Sequence, residues 1–320
     1  MSRSTLKSTF LCSALHLLVD GVCVCCLYLM AASLSASCLV GIFLTYNILA
    51  FLTQPLTGLW TDTTERRHWM LLAAVLLLTL AVLATSVVVS LGLSAMGATV
   101  VAILLGMGNS LFHVWGGKQV AVTTGNDMRA LGAFVSTGAF GLALGYVFFS
   151  WTLLYVALLS ICVLSPACVQ TDVTASPTEP TDKPAERPFG SMLTGVSLLV
   201  LMLVVMLRSF VGETFTGEVS KASGLVLLLG FLSMLGKMAG GWIARRLGIV
   251  RTLVLVVLLA AVCLVFRDCG LATVLVGLFA VNCTMPVTLY LANAVLPRRE
   301  GLAFGLLAAA LIPGYLLAVL

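Results

Sequence analysis

Long apolar runs separated by short polar breaks organise the whole chain. In the first half the runs span Thr9 to Ser33, Cys38 to Trp60, His68 to Ser90, Met96 to Gly117, Arg129 to Phe149 and Trp151 to Val169. In the second they span Ser191 to Gly212, Ala222 to Ala244, Ile249 to Phe266, Leu271 to Leu296 and Gly301 to Leu320. Each approaches or exceeds the roughly 20 residues that a helix needs to cross a bilayer core. The pattern therefore predicts an all-α polytopic membrane protein, a helical bundle of 11 transmembrane helices. The first run follows Arg3 and Lys7 as a signal peptide would, but it is too long for one and carries Asp20 at its centre, so a retained helix is expected.

The break between the sixth and seventh runs differs from the others. Gln170 to Pro188 combines prolines at 177, 180, 184 and 188 with Asp172, Glu179, Asp182, Lys183, Glu186 and Arg187. A segment this rich in proline and charge buries too little surface to fold, which predicts a solvated linker. The expected organisation is a six-helix bundle over 1–169, a cytoplasmic linker over 170–190 and a five-helix bundle over 191–320.

Two short breaks repeat one another. Gly58-Leu-Trp-Thr-Asp62-Thr-Thr-Glu65-Arg66-Arg67 follows the second run, and Gly241-Trp-Ile-Ala-Arg245-Arg246-Leu-Gly248-Ile-Val-Arg251 follows the eighth. In each, a glycine stands four residues before a charged one, and basic residues precede the next run. The glycines are expected to end helices and turn the backbone. The basic residues are expected to hold these loops in the cytoplasm.

Composition agrees with a membrane class: 61% of residues are apolar and 9% charged, with a mean hydropathy of +1.15. The net charge of +5 is spread in singles and pairs between runs, which argues for topology and against nucleic-acid binding. With the amino terminus in the cytoplasm, twelve basic residues fall inside (Arg3, Lys7, Arg66, Arg67, Arg129, Lys183, Arg187, Arg245, Arg246, Arg251, Arg298, Arg299) and two, Lys221 and Arg267, outside. That asymmetry sets the expected orientation in the plasma membrane.

Among the ten cysteines the one close cluster is Cys23-Val-Cys25-Cys26, and no His or carboxylate stands beside it at metal-ligand spacing. Neither metal nor cofactor is expected. Asn282-Cys-Thr284 matches a glycosylation pattern but lies within a span. No Walker A sequence, Gly-x-Ser-x-Gly elbow or His-Glu-x-x-His site occurs, so no enzyme activity is expected.

Six helices, a linker and a repeated Gly-x-x-x-charge loop resemble the major facilitator superfamily, in which two related halves surround a substrate path. Within the first half, His16-Leu-Leu-Val-Asp20, Gln54-Pro55-Leu-Thr-Gly58-Leu-Trp60-Thr-Asp62 and Gly106-Met-Gly108-Asn-Ser-Leu-Phe112-His113 are similar to the fosmidomycin-resistance type of exporters. That pattern carries a proline after the histidine, where this chain has Val114; against the superfamily's cytoplasmic loop signature, Asp62 stands at the acid, Glu65 replaces a glycine, and Arg245 replaces the acid of the second copy. The resemblance implies a twelfth helix, which the eleven runs lack. It also implies proton-coupled export of a small amphiphilic or anionic solute by a monomer. Nutrient import and a non-transporting sensor are the alternatives.

Ionisable groups inside spans cost about 2.5–3.5 kcal/mol at a helix centre and so point to function. Asp20 and His16 lie one turn apart in the first span; His113 lies late in the fourth with Lys118 at its cytoplasmic end, Arg208 in the seventh and Lys237 in the eighth. The resemblance implies that the first and fourth spans line the central cavity. These six residues are the candidates for proton coupling or the substrate path, with Asp20 as the proton carrier. A plain structural role competes in each case: Lys118 snorkelling to the interface, His113 bonding a carbonyl, and Arg208 snorkelling rather than gating with Glu213. The cytoplasmic gating loops are Gly58, Asp62, Arg66 and Arg67 and Gly241, Arg245, Arg246 and Arg251. In the fifth span, Gly141 and Gly145 form a small-residue face for close helix packing.

Overall fold

A computed structural model describes residues 3–31, 34–64, 68–92, 95–174, 192–217 and 223–319. Arg66, Arg67 and most of the expected linker lie outside the described residues.

The first half comprises α1 (Arg3–Ala31), α2 (Ala36–Asn47), α3 (Gln54–Thr63), α4 (His68–Ser90), α5 (Ala95–Thr123), α6 (Met128–Val147) and α7 (Trp151–Thr174). The second comprises α8 (Met192–Thr216), α9 (Ser223–Leu247), α10 (Ile249–Val265), α11 (Leu271–Asn282), α12 (Met285–Val295), α13 (Glu300–Ala309) and α14 (Leu311–Val319). Three spans are composite. A π-helical turn over Ile48–Leu52 joins α2 to α3, and the pairs α11/α12 and α13/α14 each form one span. Pro55 and Pro286 open α3 and α12, where a missing N–H costs nothing. Among the described residues, ten helical stretches are long and apolar enough to cross a membrane, and α10 is a shorter apolar one. The protein is thus a multi-pass membrane protein. The helix α7 continues through Thr174, several residues into the segment expected as linker.

The helices are apolar on every side, as a span requires. In α4, Met70, Leu71, Ala74, Leu78 and Ala81 are buried, whereas Trp69, Leu72, Leu76, Leu80 and Leu83 face outward.

Glycines set the closest helix contacts. A Cβ on Gly141 would strike the carbonyl of Leu17, and one on Gly145 that of Gly21, so the expected small-residue face seats α6 on α1. The loop glycines act otherwise than expected. Gly58 and Gly241 lie inside α3 and α9 rather than at turns. Their missing side chains bring the two halves together: Gly58 lies against the Gly301 carbonyl of α13, and Gly241 against the Met128 carbonyl of α6. The turn after α9 is made by Gly248, whose φ of 86° is one that glycine adopts without strain. The α6/α9 contact continues to Gly230, which faces Ala139 and Ala143. That seam therefore runs about 17 Å along α9 at 1.5 Å per residue.

Candidate functional site

His16 and Asp20, one turn apart on α1, meet His113 of α5 in the buried interior of the first half. His16 Nε2 lies 2.8 Å from His113 Nε2. Asp20 sits against both rings, with Oδ2 at 3.3 Å from His16 Nε2 and Oδ1 at 3.4 Å from His113 Nε2.

The hydrogen bonds behind these atoms settle their chemistry. His16 Nδ1 lies 2.7 Å from the Phe134 carbonyl, and His113 Nδ1 lies 2.9 Å from the Asn109 carbonyl. A carbonyl only accepts, so each Nδ1 carries a hydrogen and each neutral ring turns a bare Nε2 lone pair inward. Two such lone pairs at 2.8 Å require one proton between them. One proton shared by the two rings beside the Asp20 carboxylate would satisfy both nitrogens. Asn109 Nδ2 donates to Asp20 Oδ1 at 3.0 Å. Space for the carboxylate comes from Gly138 of α6, where any Cβ would collide with Asp20 Oδ2 and His16 Nε2.

The same three residues offer ligand atoms within 4.8 Å of one another, a two-histidine, one-carboxylate donor set with its outer nitrogens fixed by carbonyls. Sequence spacing did not reveal this set, because His113 is far away in the chain. Its surroundings disfavour a divalent ion. Lys237 lies within electrostatic reach of Asp20 and His113, and of Arg208 as well, so the adjoining region already holds more positive than negative charge.

One turn below the triad lies an aromatic layer. The His16 ring stands 4.7 Å from that of Phe134 and 6.0 Å from that of Phe112. Phe304 of α13 reaches across from the second half to within 6.1 Å of Phe134, over the bare face of Gly117. Below this layer the expected interfacial lysine is instead buried. Lys118 Nζ pairs with Asp62 Oδ1 at 2.7 Å and donates to the Thr61 carbonyl at 3.1 Å. Asp62 also accepts from the backbone N–H groups of Gly301 at 3.0 Å and Leu302 at 2.9 Å. An acid in the last turn of α3 thus caps the amino terminus of α13 in the second half.

The second loop exchanges the signs. Arg245 occupies the position of the acid and acts electrostatically on Asp127, which precedes α6. Asp127 accepts from the Arg129 backbone N–H at 2.9 Å and binds the Arg129 guanidinium through both carboxylate oxygens. That pairing holds the Asp127 carboxyl below the usual carboxylate range. Arg129 also lies 5.3 Å from the centre of the Trp242 ring, joining α6 to α9. Arg245, Arg246 and Arg251 are exposed.

The six candidates therefore separate into three places. His16, Asp20 and His113 form the triad, and Lys118 belongs to the loop contact. Arg208 and Lys237 stand in the second half, with no ion pair joining Arg208 to Glu213. Sequence reasoning missed the roles of Asn109 and Gly138. The one available signal for Asn109 was its spacing of one turn from His113 in an otherwise apolar helix.

No family model and no curated protein matches the sequence. Solved structures do match in fold. A bacterial homologue of the iron transporter ferroportin, outward-facing with soaked iron, is 15% identical; the match covers 100% of this chain and 92% of that one at a TM-score of 0.65. The Escherichia coli fucose:proton symporter is 13% identical over 99% of this chain and 91% of its own, with a TM-score of 0.66. The human organic anion transporter MFSD10 is 17% identical over 99% and 93%, with a TM-score of 0.62. The chain has the fold of major facilitator superfamily transporters. The proteins it resembles are transporters, not enzymes.

Proposed function

We propose that the protein is a secondary active transporter that exports a small solute from the cytoplasm in exchange for protons. It works as a monomer in the plasma membrane with its amino terminus inside. One observation carries the proposal: two buried imidazoles, their outer nitrogens tied to carbonyls, converge on Asp20 in a geometry suited to one shared proton. A proton held in a buried cluster can be exchanged with whichever side the cavity opens toward. The proton carrier is then the triad acting as a unit, with Asp20 as its counter-charge, rather than a lone carboxyl group. Protonation from outside, closure over the triad, release inside and return with solute form one cycle of antiport. The likeness in fold to a proton symporter and to an organic anion transporter supports secondary transport.

Asp20→Asn keeps the shape and removes the charge that stabilises the shared proton. The variant is expected to insert and fold normally and to keep solute exchange. In everted vesicles with an imposed proton gradient, it is expected to lose the solute-dependent collapse of that gradient. Wild-type accumulation by this variant across the pH range would place coupling elsewhere. Uptake into intact cells without collapse in everted vesicles would reverse the direction.

A further inference from the structure

The second half contains a buried cation that the triad chemistry does not use. Arg208 is 8% exposed, and its Nε and Nη2 atoms meet no acceptor among the described residues. No described carboxylate acts on it electrostatically. Glu213, five residues along α8, is turned elsewhere and accepts instead from the Thr216 hydroxyl. Arg208 lies eight residues before the end of α8 at Thr216, about 12 Å deep at 1.5 Å per residue. At that depth a guanidinium rising to the headgroups is an inadequate account of its burial. A buried guanidinium with empty donors is costly, and such groups persist where something arrives to satisfy them.

The chain itself shows what suits those donors. Arg129 binds Asp127 with the same edge of its guanidinium, Nε to Oδ1 at 3.0 Å and Nη2 to Oδ2. Arg208 presents that edge, Nε and Nη2, with nothing on it among the described residues. Two parallel N–H groups match a carboxylate, sulfonate or phosphate oxygen pair and no cation or neutral alcohol. Lys237 adds a second positive charge within electrostatic reach of Arg208. Asp20 is the carboxylate that reaches Lys237, and it is already held by two imidazoles and Asn109. The region therefore carries surplus positive charge that an anionic solute neutralises.

We infer that Arg208, assisted by Lys237, is an oxyanion-binding site in the second half, and that the cargo is a small solute bearing a carboxylate, sulfonate or phosphate group. The inference rests on the transport function proposed above for its word cargo; binding itself does not require it. The anion is held by the second half while the proton is held by the first, so each half carries one of the two exchanged species.

The test uses the full chain in a neutral detergent at constant ionic strength. Its unfolding temperature is followed while benzoate, benzenesulfonate or phenyl phosphate is titrated, with benzylamine and benzyl alcohol as the cationic and neutral probes. The expected result is a saturable rise with at least one oxyanion and none with the amine or alcohol. Arg208→Gln removes the rise. Arg208→Lys, which keeps charge without the fork, weakens binding about tenfold to a hundredfold, the worth of charge-assisted hydrogen bonds. No rise with any oxyanion, an equal rise with the amine or alcohol, or wild-type titration by Arg208→Lys overturns the site. Phosphatidylglycerol that displaces the oxyanion at lower concentration would assign the site to a lipid headgroup and overturn the cargo. Loss of oxyanion binding with gradient collapse intact refutes the anion site alone; oxyanion binding without any proton movement refutes the proton coupling alone.

Discussion

At position 138 a hydrogen atom in place of a methyl group decides whether the triad can exist. The backbone of α6 passes so close to α1 that a Cβ there would occupy the space of Asp20 Oδ2 and His16 Nε2. Gly138→Ala forces those groups apart, at about 1–3 kcal/mol for an overpacked interior. The variant is expected to reach the membrane, to melt at a lower temperature and to lose coupled transport as fully as Asp20→Asn does. Intact coupling would mean that α6 and α1 separate without disturbing the triad. Asp20 and His16 were legible as partners in the sequence, since one helical turn joins them. His113 was legible as a buried ionisable group but not as their neighbour, because its approach depends on the rotation and tilt of α5. Gly138 was legible only as one glycine among several in its helix; nothing local distinguishes a glycine that clears room for a side chain from one that seats another helix.

Hydrophobic run lengths carry the helices almost directly, because bilayer thickness fixes a length that sequence can count. The interruptions were less legible. Pro55 and Pro286 mark where α3 and α12 restart, but the π-helical turn before α3 satisfies its backbone internally and leaves no composition signal. Helix termini add a separate test. Asp127 caps α6 by accepting from the Arg129 N–H, and the Arg129 guanidinium favours its ionised form, holding the carboxyl below its ordinary range. Asp127→Ala is expected to cost about 0.5–2 kcal/mol, the usual worth of such a cap. Because the native carboxyl ionises below the unfolded one, this stability is fully present above the ordinary value of about 3.9. It declines as pH falls from there through the lowered native value. Thermal unfolding of wild type and variant should therefore differ by a constant amount near neutrality and converge in acid. A gap that widens in acid would mean that the charged form is not the one being stabilised.

Across the whole molecule, the His16–Asp20–His113 triad, the aromatic layer and the Asp62 contact follow one another along α5, at His113, Gly117 and Lys118. The halves share the last two: Phe304 enters the aromatic layer from α13, and Asp62 reaches the α13 backbone. Lys118→Met removes the buried cation that faces Asp62 while leaving its two backbone donors. Hydrogen exchange of the Gly301 and Leu302 amides should then accelerate, by about tenfold to a hundredfold if the lost bond is worth the 1.5–3 kcal/mol of a charged pair. Amides of the α6/α9 seam should not change. Equal protection in both proteins would leave Lys118 no part in holding the halves together. The opposite signs of the two loops have a further consequence, for partner choice. Two first halves placed face to face would set Asp62 against Asp127, and two second halves would set Arg245 and Arg246 against Arg298 and Arg299. Only the mixed pairing brings the Asp62 loop to α13 and the Arg245 loop to Asp127. Charge exchange between the two polar segments thus favours the pairing of a first half with a second over the pairing of like halves.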